Sequence, residues 1–215
     1  MGIYSKWVLP RLLEAAMHEP RIGRYRAPVL AQARGRILEI GFGTGANLPY
    51  YPAEVGRIDI VEPDAAIGER AAKHIAASGR EVLTHRLSAE RLPFAAGSFD
   101  TVVSTFTLCS IPDVSSALAE VRRVLRPDGR FLFLEHGLSP DPGIARWQRR
   151  LTPLQKMIGG GCHLDRPIAA LLEASGLATD PATFEARYVP RLPRVVGWFS
   201  SGVARPQGSS SRSLL

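Results

Sequence analysis

Three glycines at every second position, Gly41, Gly43 and Gly45, stand in the segment Glu39-Ile40-Gly41-Phe42-Gly43-Thr44-Gly45-Ala46-Asn47. They follow a strand-like run and precede a helical one. Glycine adopts backbone angles closed to other residues and lets a ligand come close to the main chain, and a helix start offers free N–H groups to an anion. The loop alone is ambiguous, because Gly41, Gly43 and Ala46 also satisfy the G-x-G-x-x-A pattern of dinucleotide-binding folds. Two carboxylates separate the readings. Glu39, two residues before Gly41, would repel a pyrophosphate and attract a ligand carrying an ammonium and a sulfonium. Glu62, 21 residues after Gly41, ends a second strand-like run, where a carboxylate can accept hydrogen bonds from both hydroxyls of a ribose.

The two carboxylates favour an adenosine ligand without phosphates. S-adenosylmethionine fits: adenosine, a sulfonium cation, an amine and one carboxylate. Its methyl group is already activated, so an enzyme using it has to align a nucleophile with the methyl carbon and exclude water. A thiol acceptor is the easiest case, because it is partly ionised near neutral pH. An amine must be held neutral and a carbon needs a stronger base. No Asp-His or Glu-His pair stands out as a dedicated base. His136, after Glu135, is the candidate catalytic residue, able to take a proton or orient the acceptor. Cys109 reads as a buried packing residue. Cys162-His163 follows Gly159-Gly160-Gly161, which reads either as a lid beside the acceptor or as a simple loop. Two adjacent residues without a second pair lack metal-ligand spacing, so no metal is expected.

These residues need a sheet to position them. The runs 36–40, 57–61, 81–87, 99–105 and 130–135 are apolar with little alternation, as in strands buried on both faces. Between them lie helical stretches, Asp64 to Ser78 before Gly79, and Val114 to Leu125 before Pro127-Asp128-Gly129. Strand and helix in alternation predict an α/β fold with a mostly parallel sheet. In such sheets ligands bind beyond the carboxyl ends of the strands, which here carry Thr105 to Cys109 and Glu135-His136. Residues 3–33 read as two helical pieces broken near Pro20, and 141–158 as a helix interrupted by Pro153. Asp165 to Ser175 reads as a helix capped by Asp165, and Ala182 to Val189 and Val195 to Ala204 as a last antiparallel pair. The expected organisation is an N-terminal helical cover over 1–35, a domain over 36–204, and a low-complexity tail over 205–215.

The chain has 215 residues, 45% hydrophobic and 22% charged, which suits one globular domain with additions. No apolar run is long enough to span a membrane, and the charged first 20 residues hold no signal-peptide core. Two cysteines make no disulfide framework, so a cytoplasmic setting is expected. The net charge of +7 divides into +4 over 1–35, −2 over 36–140 and +5 over 141–215. The basic residues are single arginines among apolar ones rather than clusters with aromatic partners, so no nucleic-acid partner is expected. Lys6 and Arg11 on an N-terminal helix with Ile3, Tyr4, Trp7, Val8 and Leu12 leave open a peripheral membrane contact, a cover over the ligand through Tyr4, or plain packing. The oligomeric state is not readable.

From the glycine loop onward the chain resembles the class I S-adenosylmethionine-dependent methyltransferases. The matching pieces are Ile37 to Gly45, Val61-Glu62-Pro63-Asp64, Ala89 to Phe94, Ser98-Phe99-Asp100 and Val121 to Arg130, in the family's order. The resemblance implies a Rossmann-like seven-stranded sheet with its last strand antiparallel and helices on both faces. It implies cofactor contacts from Glu39, Gly41, Gly43, Gly45, Glu62 and Ser88-Ala89-Glu90. Asn47, Pro63 and Thr105, in the same segments or at a strand end, complete the candidate set. Ser88 stands where many relatives carry an acidic residue for the adenine amine, and it brings no charge.

A narrower resemblance, through Gly43 to Asn47, Tyr50-Tyr51-Pro52, Thr107 to Ile111, Glu135-His136 and Gly161 to Leu164, is to the alkyl-thiol S-methyltransferases of the methyltransferase-like seven group. It implies a small, apolar thiol as acceptor. N- or C-methylation of a lipid amine, a quinone or a natural product is the alternative, and a non-catalytic cofactor-fold binding protein is the alternative of another class. The thiol enzymes carry a longer hydrophobic N-terminal anchor, where this chain has a short, charged helix.

Overall fold

A computed structural model describes residues 9–208. Ile3, Tyr4, Lys6, Trp7 and Val8, on which the membrane and Tyr4 readings largely rest, lie outside the described residues, as do residues 209–215 of the tail.

The apolar runs form the strands they predict: β1 (Ile37–Ile40), β2 (Arg57–Val61), β3 (Glu81–His85), β4 (Phe99–Thr105) and β5 (Leu125–His136), followed by β6 (Leu177–Thr179), β7 (Glu185–Tyr188) and β8 (Trp198–Pro206). β1 is buried along its whole length, as a strand covered on both faces must be. The sheet order is β3-β2-β1-β4-β5-β8-β6, with β7 also paired to β8. β1 to β5 are mutually parallel. β8 runs antiparallel to β5, β6 and β7.

The sheet therefore has eight strands rather than seven, yet seven positions. β6 and β7 share the outer edge of β8, the first against Ala204–Pro206 and the second against Trp198–Ser201. The break falls where residues 180–184 cross close to β8. A Cβ added to Gly202 would lie 3.0 Å from Phe184 Cα. The expected strand over Ala182 to Val189 is shortened to Glu185–Tyr188 by this crossing. The Pro127-Asp128-Gly129 turn does not separate helix from strand. It is a protrusion within β5, between the registers Phe99↔Leu125 and Thr101↔Arg130.

Helices α1 (Leu9–Met17), α2 (Pro20–Leu30), α3 (Ala65–Ser78), α4 (Val114–Val124), α5 (Pro142–Ile158) and α6 (Ile168–Ala174) complete the fold. The break near Pro20 is present, with Pro20 as the first residue of α2 and Glu19 capping it. One core lies between the sheet and α4 and α6, through Leu118, Val121 and Leu172 against Leu38, Val102, Phe131 and Phe133. The opposite core joins Val29 and Leu30 of α2 to Ile37, Ile58, Ile60, Val103 and Leu132.

Two helical expectations are corrected. α5 is continuous through Pro153, because the carbonyl left without its amide belongs to the exposed Arg149 and water can satisfy it. Helix α6 begins at Ile168 without a side-chain cap. Asp165 instead accepts a hydrogen bond from the Thr152 hydroxyl of α5 at 3.0 Å. No described helix is long and apolar enough to cross a membrane.

Candidate functional site

A cavity of about 810 Å³ opens at the carboxyl ends of the parallel strands, where ligands bind in open α/β sheets. One end is the glycine loop. Gly41, Gly43 and Gly45 have φ of +65°, +58° and +82°, which side-chain-bearing residues rarely adopt. At Gly41 the requirement is also spatial, since an added Cβ would lie 2.1 Å from Thr107 Cγ2. At Gly43 nothing lies within 4 Å of that position, so the backbone is open to a ligand.

Glu62, at the end of β2, lines this end of the cavity. One carboxylate oxygen accepts from Gly43 N at 2.9 Å, and the other from Asp64 N at 3.0 Å. Burial raises its pKa against the pull of those two amides. The carboxylate is thus fixed by backbone donors with its remaining lone pairs free for ligand hydroxyls. Gly41, Gly43, Asn47, Pro63, Ser88, Ala89 and Thr105 of the candidate set also line the cavity, together with His136.

Glu39, Gly45 and Glu90 do not line it. Alternation along β1 turns Glu39 to the face that α2 covers, where it is buried beneath the loop. Asn47 Nδ2 donates to one of its oxygens at 2.8 Å and Tyr51 donates to the other at 2.6 Å. Burial pushes Glu39 up to about 7, with the Tyr51 and Asn47 hydrogen bonds and the Arg26 charge opposing. Arg26, only 2% exposed, donates to Asn47 Oδ1 and, at 2.6 Å, to Thr105 Oγ1. Glu39 thus supports the loop through Asn47. Glu90 accepts from Asp113 N and from the Ser88 hydroxyl, both at 2.7 Å, and holds Ser88 at the rim.

The residues read as cover close this end. Pro10, Met17, Ile22 and Arg26 of α1 and α2 line the cavity. His18 Nε2 meets Thr44 Oγ1 at 3.0 Å and its ring stacks on His74.

The far wall carries Cys109, His136 and Cys162, a cluster not legible along the chain. Their ligand atoms lie within 4.8 Å of one another. His136 Nε2 is 3.2 Å from Cys162 Sγ, while its buried Nδ1 has no hydrogen-bond partner among the described residues. Cys109 sits on the loop after β4, entered through Phe106 at φ +53°. Glu135 accepts from the amides of Thr107 and Leu108 and from the Ser104 hydroxyl. Arg166 donates to the carbonyls of Leu108 and Ile111. Cys162 is tied to the same loop by His163 N donating to Cys109 O at 2.8 Å.

The electrostatics follow from that crowding. The neighbouring Cys162 thiol, against burial, holds Cys109 below the ordinary thiol range, with His136 adding to the effect. The Cys109 sulfur, with burial, raises Cys162. Burial works against a charge on His136, but the Cys109 sulfur outweighs it and raises the ring. Burial pushes Glu135 up to about 7, and the Cys109 charge adds to it. Cys109 is buried as read, and its sulfur also stands near an imidazole and a second thiol in the cavity wall. Cys109 and Cys162 come together from separate loops, a proximity that their spacing along the chain does not show.

Strand order, glycine loop and the carboxylate closing β2 together define a Rossmann-like cofactor-binding fold. The crystal structure of the YcgJ protein from Bacillus subtilis superposes with a TM-score of 0.62 at 26% identity, covering 79% of this chain and 73% of that one. The methyltransferase domain family matches residues 38–133. Thiol S-methyltransferase TMT1B of Homo sapiens is 34% identical over 177 residues, 80% of this chain and 69% of the relative. Thiol S-methyltransferase TMT1B of Rattus norvegicus is 38% identical over 136 residues, 60% and 54% respectively. The chain thus spans from just over half to about two thirds of the length of these relatives. It belongs to the methyltransferase domain family.

Proposed function

We propose that this chain transfers the methyl group of S-adenosylmethionine to a small, apolar thiol. The observation that carries this reading is one cavity running from Glu62 and the glycine loop to a wall of two thiols and an imidazole. The names of the human and rat relatives support the same acceptor class.

In this reading Glu62 accepts the ribose hydroxyls. Pro63, Ser88 and Ala89 border the adenine, and Gly41, Gly43 and Asn47 border the methionine part near Thr105. The acceptor occupies the end lined by Phe106, Ile111, Leu192, Val196 and Phe199, where apolar side chains suit an apolar body and exclude water. Its sulfur faces His136, whose ring can take the thiol's proton. The thiolate attacks the methyl carbon in line with the breaking bond from carbon to the sulfonium sulfur. A thioether and neutral-sulfur S-adenosylhomocysteine leave, and the thiol's proton has gone to the wall or to solvent. Alignment and dehydration, rather than a strong base, supply the rate.

Release of S-adenosylhomocysteine measured with an alkyl thiol, an aryl thiol, phosphatidylethanolamine and a quinol tests the acceptor. Turnover of the thiols is expected. Turnover of the amine or quinol alone overturns the thiol reading, and no turnover with bound S-adenosylmethionine favours a binding protein.

A further inference from the structure

Two sulfurs and an imidazole reach one point of the cavity from three separate parts of the chain: the loop after β4, the end of β5 and the loop after α5. Bland packing accounts for one buried cysteine, but not for three soft donors converging in the wall. A tetrahedral zinc ion with two thiolates and one imidazole places its ligand atoms about 3.4 to 3.8 Å apart, from bonds of about 2.3 Å to sulfur and 2.0 Å to nitrogen. The separations here, 3.2 Å between His136 Nε2 and Cys162 Sγ and none above 4.8 Å, bracket that range.

The supports are those of a pre-organised site. Glu135 and Arg166 hold the Cys109 loop from its amide and carbonyl sides. The bond from His163 N to Cys109 O locks the two cysteine loops together. His136 is fixed in the ladder between β5 and β8, opposite Phe199. The donor set, two sulfurs and one imidazole, is selective for a thiophilic cation over magnesium or calcium.

We propose that Cys109, His136 and Cys162 bind a thiophilic divalent cation, zinc above all, with the fourth coordination position open to the cavity. Three protein ligands and an open position are the pattern of a reactive zinc site, whereas four protein ligands make a structural one. Two thiolates neutralise the cation. A fourth, thiolate ligand brings the net charge of the site to −1, which suits an approaching sulfonium. A thiol entering that position forms a bond from sulfur to zinc and releases its proton to solvent. Its loss of charge on methylation weakens it as a ligand and lets the thioether go. This fourth-ligand role rests on the thiol reading above. The metal site itself does not.

The test uses the full chain, reduced with a phosphine, stripped with a chelator and titrated with cobalt(II). Expected are one cobalt per chain and an intense thiolate-to-cobalt charge-transfer band. The band should be lost in Cys162→Ser and in Cys109→Ser, with affinity reduced about tenfold or more in His136→Gln. Binding of S-adenosylhomocysteine by each variant reports its fold. Zinc released from the unmutated chain by a mercurial reagent gives a measurement that needs no variant. Absence of the band while both cysteines titrate as free thiols overturns the site, as does an unchanged band in a folded Cys162→Ser chain. Adding hexanethiol to the cobalt form should shift the band. An unshifted band overturns the fourth-ligand role alone, and thiol turnover then judges the acceptor reading separately.

Discussion

Asn47 stands between Arg26 and Glu39 and bonds to both: its amide oxygen accepts from the guanidinium and its amide nitrogen donates to the carboxylate. One uncharged side chain at the end of the glycine loop therefore relays the charge of a buried arginine on α2 to a buried acid on β1. Thr105 joins the same relay, accepting from Arg26 and from Asn47.

Arg26→Met should remove the donor to Asn47 and leave Glu39 without its cation. At pH 8, where Glu39 is ionised, breaking one side of a buried charged network costs about 3–5 kcal/mol. Urea unfolding should show a loss in that range. In the double variant with Glu39→Gln the loss should be smaller than the sum of the singles, because the uncompensated charge is gone.

Glu39 also sets a pH dependence. Its folded pKa, about 7, lies above the ordinary carboxyl value, so the folded state binds its proton more tightly than the unfolded state does. The cost of ionising it is absent below about pH 4.5, grows between there and about 7, and is complete above. Glu39→Gln removes that cost. Relative to the unmutated chain, the variant should therefore gain stability as pH rises from about 5 to 8, as read by thermal unfolding across that range. A constant difference would show that Glu39 is ionised throughout.

Glu62→Gln keeps the shape but leaves one acceptor oxygen for two backbone amides, Gly43 and Asp64, and a donor where the ribose hydroxyls would point. Affinity for S-adenosylhomocysteine should fall at least tenfold, about 1.4 kcal/mol, by calorimetry. An affinity within twofold would take Glu62 out of the cofactor site.

Gly41→Ala should destabilise the fold by about 2–4 kcal/mol, combining a strained positive φ with a collision. The added methyl meets Thr107 Cγ2 and Oγ1, and the Thr107 hydroxyl donates to Gly41 O at 3.1 Å. Adding Thr107→Ser, which removes the nearer methyl, should recover part of the loss in urea unfolding, while the strain at φ remains. By contrast, Gly43→Ala meets no neighbour and should show mainly the backbone cost.

What was legible in the sequence was what short stretches of chain determine. The strand runs, the glycine loop and Glu62 announce themselves because backbone geometry and ligand contact are satisfied within a few residues. Arg26 was not legible. On a helix carrying Arg21, Arg24 and Arg26 a buried arginine looks like its solvated neighbours, and its burial depends on partners 21 and 79 residues away. The place of Glu39 relative to the loop is visible in sequence, whereas the face toward which it points depends on strand phase. The Cys109, His136 and Cys162 cluster escaped for the same reason. Its spacings follow from the fold, not from any local ligand motif. The split of the outer edge into β6 and β7 reflects a close crossing at Gly202, which alternation alone does not encode.

The placement of Arg26 changes what the first helices are. A cover can be lifted from a finished domain, but α2 supplies Val29 and Leu30 to the core and a guanidinium that answers Glu39. A chain begun at Arg36 would keep every glycine of the loop and every strand of the sheet. It would nonetheless expose the β1 and β5 face and take from Asn47 one of its three side-chain partners. The natural cut between lid and catalytic body therefore does not fall at the first strand. Residues 20–30 are inherited with the sheet, and any fusion, truncation or transplant of this cofactor-binding unit has to carry them.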